Sequence, residues 1–305
     1  MTRTATSTAP RLPRNLYFAS GSNRPCEIRG FAAIDHAIGV AVPELTDDAI
    51  SELCALAGTG LQVFADSGAF SEINFTAAGP QVVKPISDAD WADRLAVYAT
   101  LAGALGSQLH LVAPDMVGSQ DVTLARLARY ANELAALAAT GATVLVPVQK
   151  GALSQVEFAA AVANVLGATP WTPALPCKKA ATTADEIVAY CAATQPARVH
   201  LLGLGRTNKA TTKVLARVAA VAPATVVQLD SCAIRAAVGW TNGRNGGPRL
   251  LTIAKEIVAA AGFAPDATQE IAIGLVWGPG GADAVWARQD HAVALRAARQ
   301  VAVAA

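Results

Sequence analysis

The stretch TVLVPVQKGALSQVEFAAAVANVLG, residues 143–167, contains one complete strand-then-helix unit. Its first part, residues 143–149, is apolar without polar alternation, which is typical of a parallel strand buried on both faces. Ser154 and Glu157 then form a Ser-x-x-Glu capping box ahead of an alanine-rich run. Gly167 stands where that helix should end. The stretch therefore predicts one β/α unit of an α/β protein.

The same unit recurs along the chain. Capping signals of this kind also precede two further helical runs, with Ser87 ahead of Asp90 and Thr183 ahead of Glu186. Apolar runs predict eight strands, at residues 16–20, 62–66, 109–115, 143–149, 172–177, 199–205, 225–230 and 271–277. Eight β/α units predict a single-domain (β/α)8 barrel over residues 15–305. The alternative is an open doubly wound sheet, because its units look the same locally.

Composition narrows the class of protein. The chain has 305 residues, of which 53% are hydrophobic and 15% charged, so a sizeable core is expected. Its net charge of +1 predicts no polyanionic partner from whole-molecule charge alone. Five cysteines without a CxxC pair indicate a reducing compartment, so we predict a cytoplasmic protein without a metal site. The polar residues 1–14 predict a disordered lead-in, and no apolar run has membrane-spanning length.

Polar residues end four of the predicted strands, namely Asp66, Asp115, Gln149 and Asp230. In a parallel barrel the carboxyl ends of the strands form one mouth, where the chemistry takes place. A single strand-end Asp is commonly a turn cap, so it is the converging set that indicates a function. Carboxylates without a His or Cys cluster suit either metal binding or glycosidic-bond chemistry. A metal-dependent hydrolase would need His ligands at the strand ends, and none is well placed.

This ordered set resembles the tRNA-guanine transglycosylase family and its DNA-modifying relatives. The segment DSGAF, residues 66–70, is similar to the family's Asp-Ser-Gly-Gly-Phe strand end. Asp115 stands where the family has a base-binding Asp, and VQKG, residues 148–151, is similar to its Val-Gln-Gly element. Asp230, in VVQLD, stands where the family has its nucleophile. The resemblance covers about half of the chain.

The resemblance implies exchange of guanine for a 7-deazaguanine base of the preQ0 type in DNA. By that resemblance Asp230 is the nucleophile of a covalent glycosyl intermediate, and Asp66 is the carboxylate that acts as acid/base or orients the intermediate. The residues implied to hold the base are Ser67, Gly68, Asp115 and Gln149. No cofactor is implied. The alternatives are an enzyme acting on tRNA and a non-catalytic partner subunit of such an enzyme.

Two features favour DNA over tRNA as the expected partner. The family's Cys-x-Cys-x-x-Cys zinc set, which helps the tRNA enzymes to seat RNA, does not occur in this sequence. Residues 171–250 contain ten Lys or Arg and three Asp or Glu. Basic residues that follow strand ends are predicted to ring the mouth and meet phosphates: Lys178, Lys179, Arg206, Lys209, Arg235 and Arg244. The other expected partners are the free 7-deazaguanine base and a second copy or a helper protein, with no membrane.

Overall fold

The computed structural model describes most of the chain up to residue 232 and a few positions beyond it. The described residues are 15–33, 35–76, 79–178, 181–205, 209–232 and single positions between 255 and 272. Among them no helix is long and apolar enough to cross a membrane.

Ten strands occur in the described part of the chain. They are β1 (Asn15–Ala19), β2 (Ile38–Ala41), β3 (Val63–Asp66), β4 (Ile73–Thr76), β5 (Gly79–Val82), β6 (Leu109–Val112), β7 (Thr143–Pro147), β8 (Thr172–Pro176), β9 (Arg198–Leu202) and β10 (Val226–Ser231). Eight of them form a closed parallel barrel in the order β1-β10-β9-β8-β7-β6-β3-β2. The barrel closes where β1 pairs with β10, with Phe18 opposite Asp230. The predicted (β/α)8 barrel is therefore confirmed.

Helices surround the barrel and connect its strands. Within the described residues they are α1 (Pro25–Ala33), α2 (Asp47–Cys54), α3 (Asp88–Leu105), α4 (Gln120–Arg129), α5 (Ala131–Ala139), α6 (Gln155–Leu166), α7 (Ala184–Thr194) and α8 (Lys209–Val221). The three predicted capping boxes form, at the starts of α3, α6 and α7. Each stabilises its helix because two backbone N–H groups of the first turn gain acceptors. Gly106 and Gly167 end α3 and α6 with positive φ.

Two assignments of barrel strands differ from the sequence-based prediction. The strand β2 was not predicted, because IGVA is only four residues long and has a glycine inside it. Gly39 lets β1 approach closely, since a Cβ there would lie 2.6 Å from Ser20 Oγ. The strand predicted at 271–277 lies outside the described residues except for Ala272, which is helical, and the eight-stranded barrel closes without this run.

The barrel interior combines an apolar layer with buried polar side chains. The ring centroids of Phe18 and Phe64 lie 5.6 Å apart there. The imidazole of His200 stacks on Phe64, with 4.8 Å between the ring centroids. His110 and Gln228 are buried beside them. A second and larger apolar cluster fills the space between the strands and the helices. The interior is therefore packed, and open space is left at the carboxyl ends of the strands.

A small antiparallel hairpin interrupts the β/α alternation after β3. The strands β4 and β5 pair only with each other, with Ile73 opposite Val82. A short 3-10 helix, Ala69–Glu72, leads from the end of β3 into this hairpin. Its last residue, Glu72, is fully buried. The segment that follows Asp66 is therefore held against the protein by the buried side chain of Glu72.

Candidate active site at the barrel mouth

Most of the strand-end residues singled out in the sequence meet in one cavity at the carboxyl ends of the strands, here called the mouth cavity. It encloses about 660 Å³, including space open to solvent. The predicted residues that line it are Asp66, Ser67, Asp115, Gln149, Lys178 and Asp230. Gly68 does not line it. Apolar side chains form much of the remaining wall, including Phe70, Val112, Val117, Pro147 and Leu202.

Asp230 is a buried carboxylate that accepts three hydrogen bonds. Its Oδ1 accepts from His200 Nε2 at 3.1 Å and from the Gly203 backbone N–H at 2.7 Å. Its Oδ2 accepts from Ser20 Oγ at 3.0 Å. Burial alone would raise the pKa of Asp230, but these donors outweigh it and lower the pKa below its ordinary value. Asp230 is therefore ionised at neutral pH.

The pKa of Asp115 is shifted in the opposite direction. Its Oδ2 accepts from Gln149 Nε2 at 2.8 Å, and its Oδ1 lies 3.5 Å from Ser67 Oγ. Burial, reinforced by the nearby charge of Asp66, raises the pKa of Asp115 to about 7. This carboxyl therefore exchanges a proton readily near neutral pH, as a general acid or base requires.

Gln149 supports Asp115 and is itself held in place. Its Nε2 donates to Asp115, and its Oε1 accepts from the Gly118 backbone N–H at 3.0 Å. Gln120 Nε2 donates to the Gln149 backbone carbonyl at 2.9 Å. Both ends of the Gln149 carboxamide are thus engaged inside the protein, which fixes the orientation of Asp115.

Asp66 both caps a turn and lines the mouth cavity. Its Oδ1 accepts from the Gly68 backbone N–H at 2.8 Å, an Asx-type turn. Burial raises the pKa of Asp66, and the charge of Asp230 adds to the rise. The N–H group of Gly68, a residue that was expected to hold the base, is therefore used inside the protein. Asp66 and Asp115 form a pair of carboxyls that hold their protons more tightly than exposed carboxyls do.

The turn after Asp66 requires glycine. Gly68 has a φ of +73°, and a Cβ there would lie 2.6 Å from Pro43 Cγ. Gly58 has a nearly identical φ of +74° but nothing within 4 Å of the added atom. We expect Gly58→Ala to cost about 1–2 kcal/mol for its left-handed backbone. Gly68→Ala should cost about 1–3 kcal/mol more because of the clash. Urea unfolding of both variants checks this, and equal losses would contradict it.

A cationic and aromatic network holds the loops that carry the carboxyls. Arg126 on α4 donates to both carboxylate oxygens of Glu72 at 2.6 Å, and also to the backbone carbonyl of Asp115. Arg94 on α3 donates to the backbone carbonyl of Ser67 at 2.6 Å. Both guanidinium groups lie over the ring of Trp91, at 5.1 and 5.2 Å. The network therefore ties the ends of β3 and β6 together.

The strand order places the two kinds of carboxyl on opposite sides of the mouth. In the closed barrel β10 and β6 are four strands apart in either direction, which is diametrically opposite in an eight-stranded barrel. Asp230 lies on β10 and Asp115 just after β6, whereas Asp66 ends the neighbouring strand β3. A molecule in the mouth cavity therefore meets a permanent anion on one side and proton-exchanging carboxyls on the other.

Two of the six basic residues that were predicted to ring the mouth lie among the described residues. Lys178 lines the mouth cavity, and its Nζ lies 4.9 Å from the ring centroid of Phe70. Lys209 begins α8. The other four, Lys179, Arg206, Arg235 and Arg244, lie outside the described residues. The basic ring and its phosphate contacts stay a prediction.

The sequence did not reveal which residues support the carboxyls. His200 was not among the predicted site residues, yet its Nε2 is hydrogen-bonded to Asp230. Ser20 and Gly203, the other donors to Asp230, carried no motif. Within the described part of the chain, no three His, Cys, Asp or Glu side chains come together as metal ligands.

Comparison with known proteins identifies no family for this chain. No family model matches it, and no curated protein matches it. Among solved structures it is similar to D-allulose 3-epimerase from Methylomonas sp. in complex with D-allulose, with 12% identity, a TM-score of 0.42, and coverage of 71% of this chain and 82% of that chain. The same enzyme with additional C-terminal residues gives 12% identity, a TM-score of 0.43, and coverage of 86% and 94%. A xylose isomerase domain containing protein from Salmonella typhimurium LT2 gives 11% identity, a TM-score of 0.40, and coverage of 84% of this chain and 93% of that chain. Such distant similarity shows a shared fold alone.

The expectation of a guanine transglycosylase acting on DNA or tRNA is wrong. The solved structures named above are a sugar epimerase and a xylose isomerase domain containing protein, and no family model or curated protein of the transglycosylases matches the chain. The physical reason lies in the turn: DSGAF is explained by an Asx turn with a left-handed glycine, which many β/α loops can form. The roles that the resemblance implied for Asp230 and for the base-holding residues belong to that expectation, and no finding tests them separately.

Proposed function

We propose that the protein is an enzyme that moves a proton within a small polyhydroxylated carbonyl compound of sugar size. The observation that supports this most strongly is the division of protonation states in the mouth cavity. Asp66 and Asp115 have raised pKa values, and Asp230 on the opposite wall has a lowered one. Carboxyls whose environments separate their pKa values are typical of acid–base active sites.

Asp115 is the better placed proton carrier of the three. With a pKa of about 7 it is close to half protonated at neutral pH, so it can accept and return a proton with little free-energy cost. Asp66, on the neighbouring strand, is the partner carboxyl, and its charge raises the affinity of Asp115 for protons. Together the two carboxyls can transfer one proton to or from a carbon atom of the substrate and one proton to or from an oxygen atom.

Asp230 has a different role in this proposal. Its three hydrogen-bond donors stabilise the anion and make it a weak base. A carboxylate has about four lone-pair positions, so one remains for a hydroxyl group of the substrate. Asp230 therefore orients the substrate by accepting a hydroxyl proton, while the acid–base work falls to the opposite wall.

The walls of the mouth cavity also suit such a substrate. Val112, Val117, Pro147 and Leu202 offer apolar surface for the C–H faces of a carbon chain. Lys178 contributes an ammonium group at the same cavity, where it can stabilise negative charge on an oxygen. The mixture of apolar walls and a few convergent polar groups is usual for small-molecule sites.

The proposed step is balanced without an oxidant or reductant. The ionised form of Asp115 takes the proton from the carbon beside the carbonyl group. The C–H electron pair forms a carbon–carbon double bond, and the carbonyl electron pair moves onto oxygen, giving an enediolate. Return of the proton to the same carbon on its opposite face gives an epimer. Return to the former carbonyl carbon gives an isomer, when the proton of the adjacent hydroxyl group is passed through the partner carboxyl Asp66 to the enediolate oxygen and that hydroxyl carbon becomes the new carbonyl.

The test is hydrogen exchange between substrate carbon and solvent. Purified protein is incubated in D2O with a panel of aldoses and ketoses from trioses to hexoses, and carbon-bound deuterium is followed by NMR. We expect exchange above the protein-free rate with at least one member of the panel. The Arg129→Leu variant, altered at an exposed ion pair on the outer surface, should keep that rate. Exchange with no member of the panel would overturn the proposal.

A further inference from the structure

An aromatic side chain borders the entrance of the mouth cavity. Phe70, on the short 3-10 helix that follows β3, lines the cavity and is 39% exposed. The other apolar side chains of the wall are buried or half-buried, as Val112 and Leu202 show. The ring of Phe70 therefore lies between the cavity and the solvent.

The side chain of Lys178 connects this ring to another loop of the mouth. Its stem lies against Gly203, which follows β9, since a Cβ added to Gly203 would lie 2.7 Å from Lys178 Cγ and 3.2 Å from Lys178 Cε. Its Nζ lies 4.9 Å from the ring centroid of Phe70, a cation–π distance. Lys178 therefore contacts Gly203 with its stem and Phe70 with its ammonium group.

The strand order places these two contacts on opposite sides of the barrel. The strands β3 and β9 are four strands apart in either direction around the closed barrel. Phe70 belongs to the segment after β3, and Gly203 belongs to the segment after β9. Phe70 and Lys178 together therefore cross the mouth from one side to the other, and the pair is here called the Phe70–Lys178 bar.

The contact that closes the bar is weak and can be released. Among the described residues, no carboxylate forms an ion pair with Lys178. The ammonium group is held by the ring face of Phe70, and an exposed cation–π contact of this kind stabilises little. The lysine stem is flexible, and exposed side chains change rotamer within nanoseconds. The bar can therefore part by side-chain rotation, while the barrel stays as it is.

We propose that Phe70, held across the mouth by Lys178, is a specificity-determining residue that limits the width of the molecules that enter the mouth cavity. A slender molecule passes beside the closed bar, whereas a wide one enters only after the ammonium group has left the ring. This inference goes beyond the proposed function, because it concerns entry into the cavity and not the reaction inside it. It can therefore be tested without a substrate.

The test measures how fast reagents of two widths reach a thiol placed on the floor of the cavity. Val112 belongs to the apolar layer of the barrel interior and lines the mouth cavity, so Val112→Cys supplies that thiol with little change in volume. Methyl and benzyl methanethiosulfonate are neutral, carry the same reacting group and differ in width. Peptide mass mapping distinguishes the introduced thiol from the native cysteines, and Cys54 at the end of α2 serves as the internal reference.

The quantity to compare is the benzyl rate divided by the methyl rate at the introduced thiol. A change in the thiolate fraction affects both reagents equally, so this ratio reports width alone. In the Val112→Cys background, Lys178→Met keeps the stem but loses the charge, and should raise the ratio about two- to fivefold, as loss of an exposed cation–π contact allows. Phe70→Ala removes the ring itself and should raise the ratio further.

A matched control replaces an apolar side chain of similar exposure that lies away from the mouth. Val221, the last residue of α8, is 36% exposed and does not line the cavity, so Val221→Ala should leave the ratio at the parent value. Circular dichroism confirms that each variant is folded, and Phe70→Leu replaces Phe70→Ala if that variant does not fold. A ratio at the parent value in the Phe70 variant or in Lys178→Met would overturn the proposal.

Discussion

Replacing Arg126 by leucine should lower the free energy of unfolding by about 3–5 kcal/mol, the cost of breaking a buried ion pair from one side. Glu72 is fully buried, and Arg126 donates to both of its carboxylate oxygens. Without the guanidinium group, the Glu72 carboxylate loses its bidentate ion-pair partner and the Asp115 backbone carbonyl loses a donor. Chemical denaturation with the far-ultraviolet circular dichroism signal measures the loss.

A matched control lies one helical turn away. Arg129 pairs with Asp88 at 2.8 Å, but both side chains are more than half exposed, at 57% and 65%. Because exposed ion pairs contribute little, Arg129→Leu should cost no more than about 1 kcal/mol. If Arg126→Leu costs as little as Arg129→Leu, the network under the mouth does not stabilise the fold as described.

Replacing Asp115 by asparagine should slow the exchange of substrate hydrogen with solvent by about 10²–10⁴-fold, the usual contribution of a general acid or base. Asparagine keeps the shape of the side chain and can still accept from Gln149 Nε2, but it cannot take up a proton from carbon. The deuterium-incorporation assay measures the rate. An intact thermal unfolding transition shows that the variant is folded.

The matched control for that loss is a variant of a neighbouring polar residue without an acid–base role. Ser67→Ala removes a hydroxyl group that lies 3.5 Å from Asp115 but leaves the carboxyl in place. Its rate should fall less than that of Asp115→Asn. An Asp115→Asn variant that exchanges substrate hydrogen at the parent rate would remove Asp115 from the proposed chemistry.

Much of the fold could be predicted because its causes are local. Buried parallel strands need unbroken apolar runs, and helix starts need capping residues, so runs such as 143–149 and boxes such as Ser154 with Glu157 can be read directly. The strand β2 escaped prediction because it is only four residues long, and its neighbours in the barrel bury it. Which strands close the barrel depends on pairing between β1 and β10, and no local pattern encodes it.

The convergence of the carboxyls could also be predicted, since the ends of parallel strands meet at one mouth. Their protonation states could not, because these depend on contacts between distant parts of the chain. Ser20 and His200 reach Asp230 only after closure of the barrel, and Arg126 reaches Glu72 across an inserted hairpin. The transglycosylase resemblance rested on short motifs that turn geometry explains by itself.

The most direct measurement of the division of charge in the mouth cavity is a ¹³C NMR titration of the aspartate carboxyl groups. Comparison with Asp115→Asn and Asp230→Asn assigns the two signals that matter. As the pH rises, Asp115 should lose its proton near pH 7, far above an ordinary carboxyl. Asp230 should remain ionised until the pH falls below the ordinary aspartate value. If Asp115 titrates with the exposed aspartates, or if Asp230 is protonated at neutral pH, the carboxyls do not differ in the way that the proposed proton transfer requires.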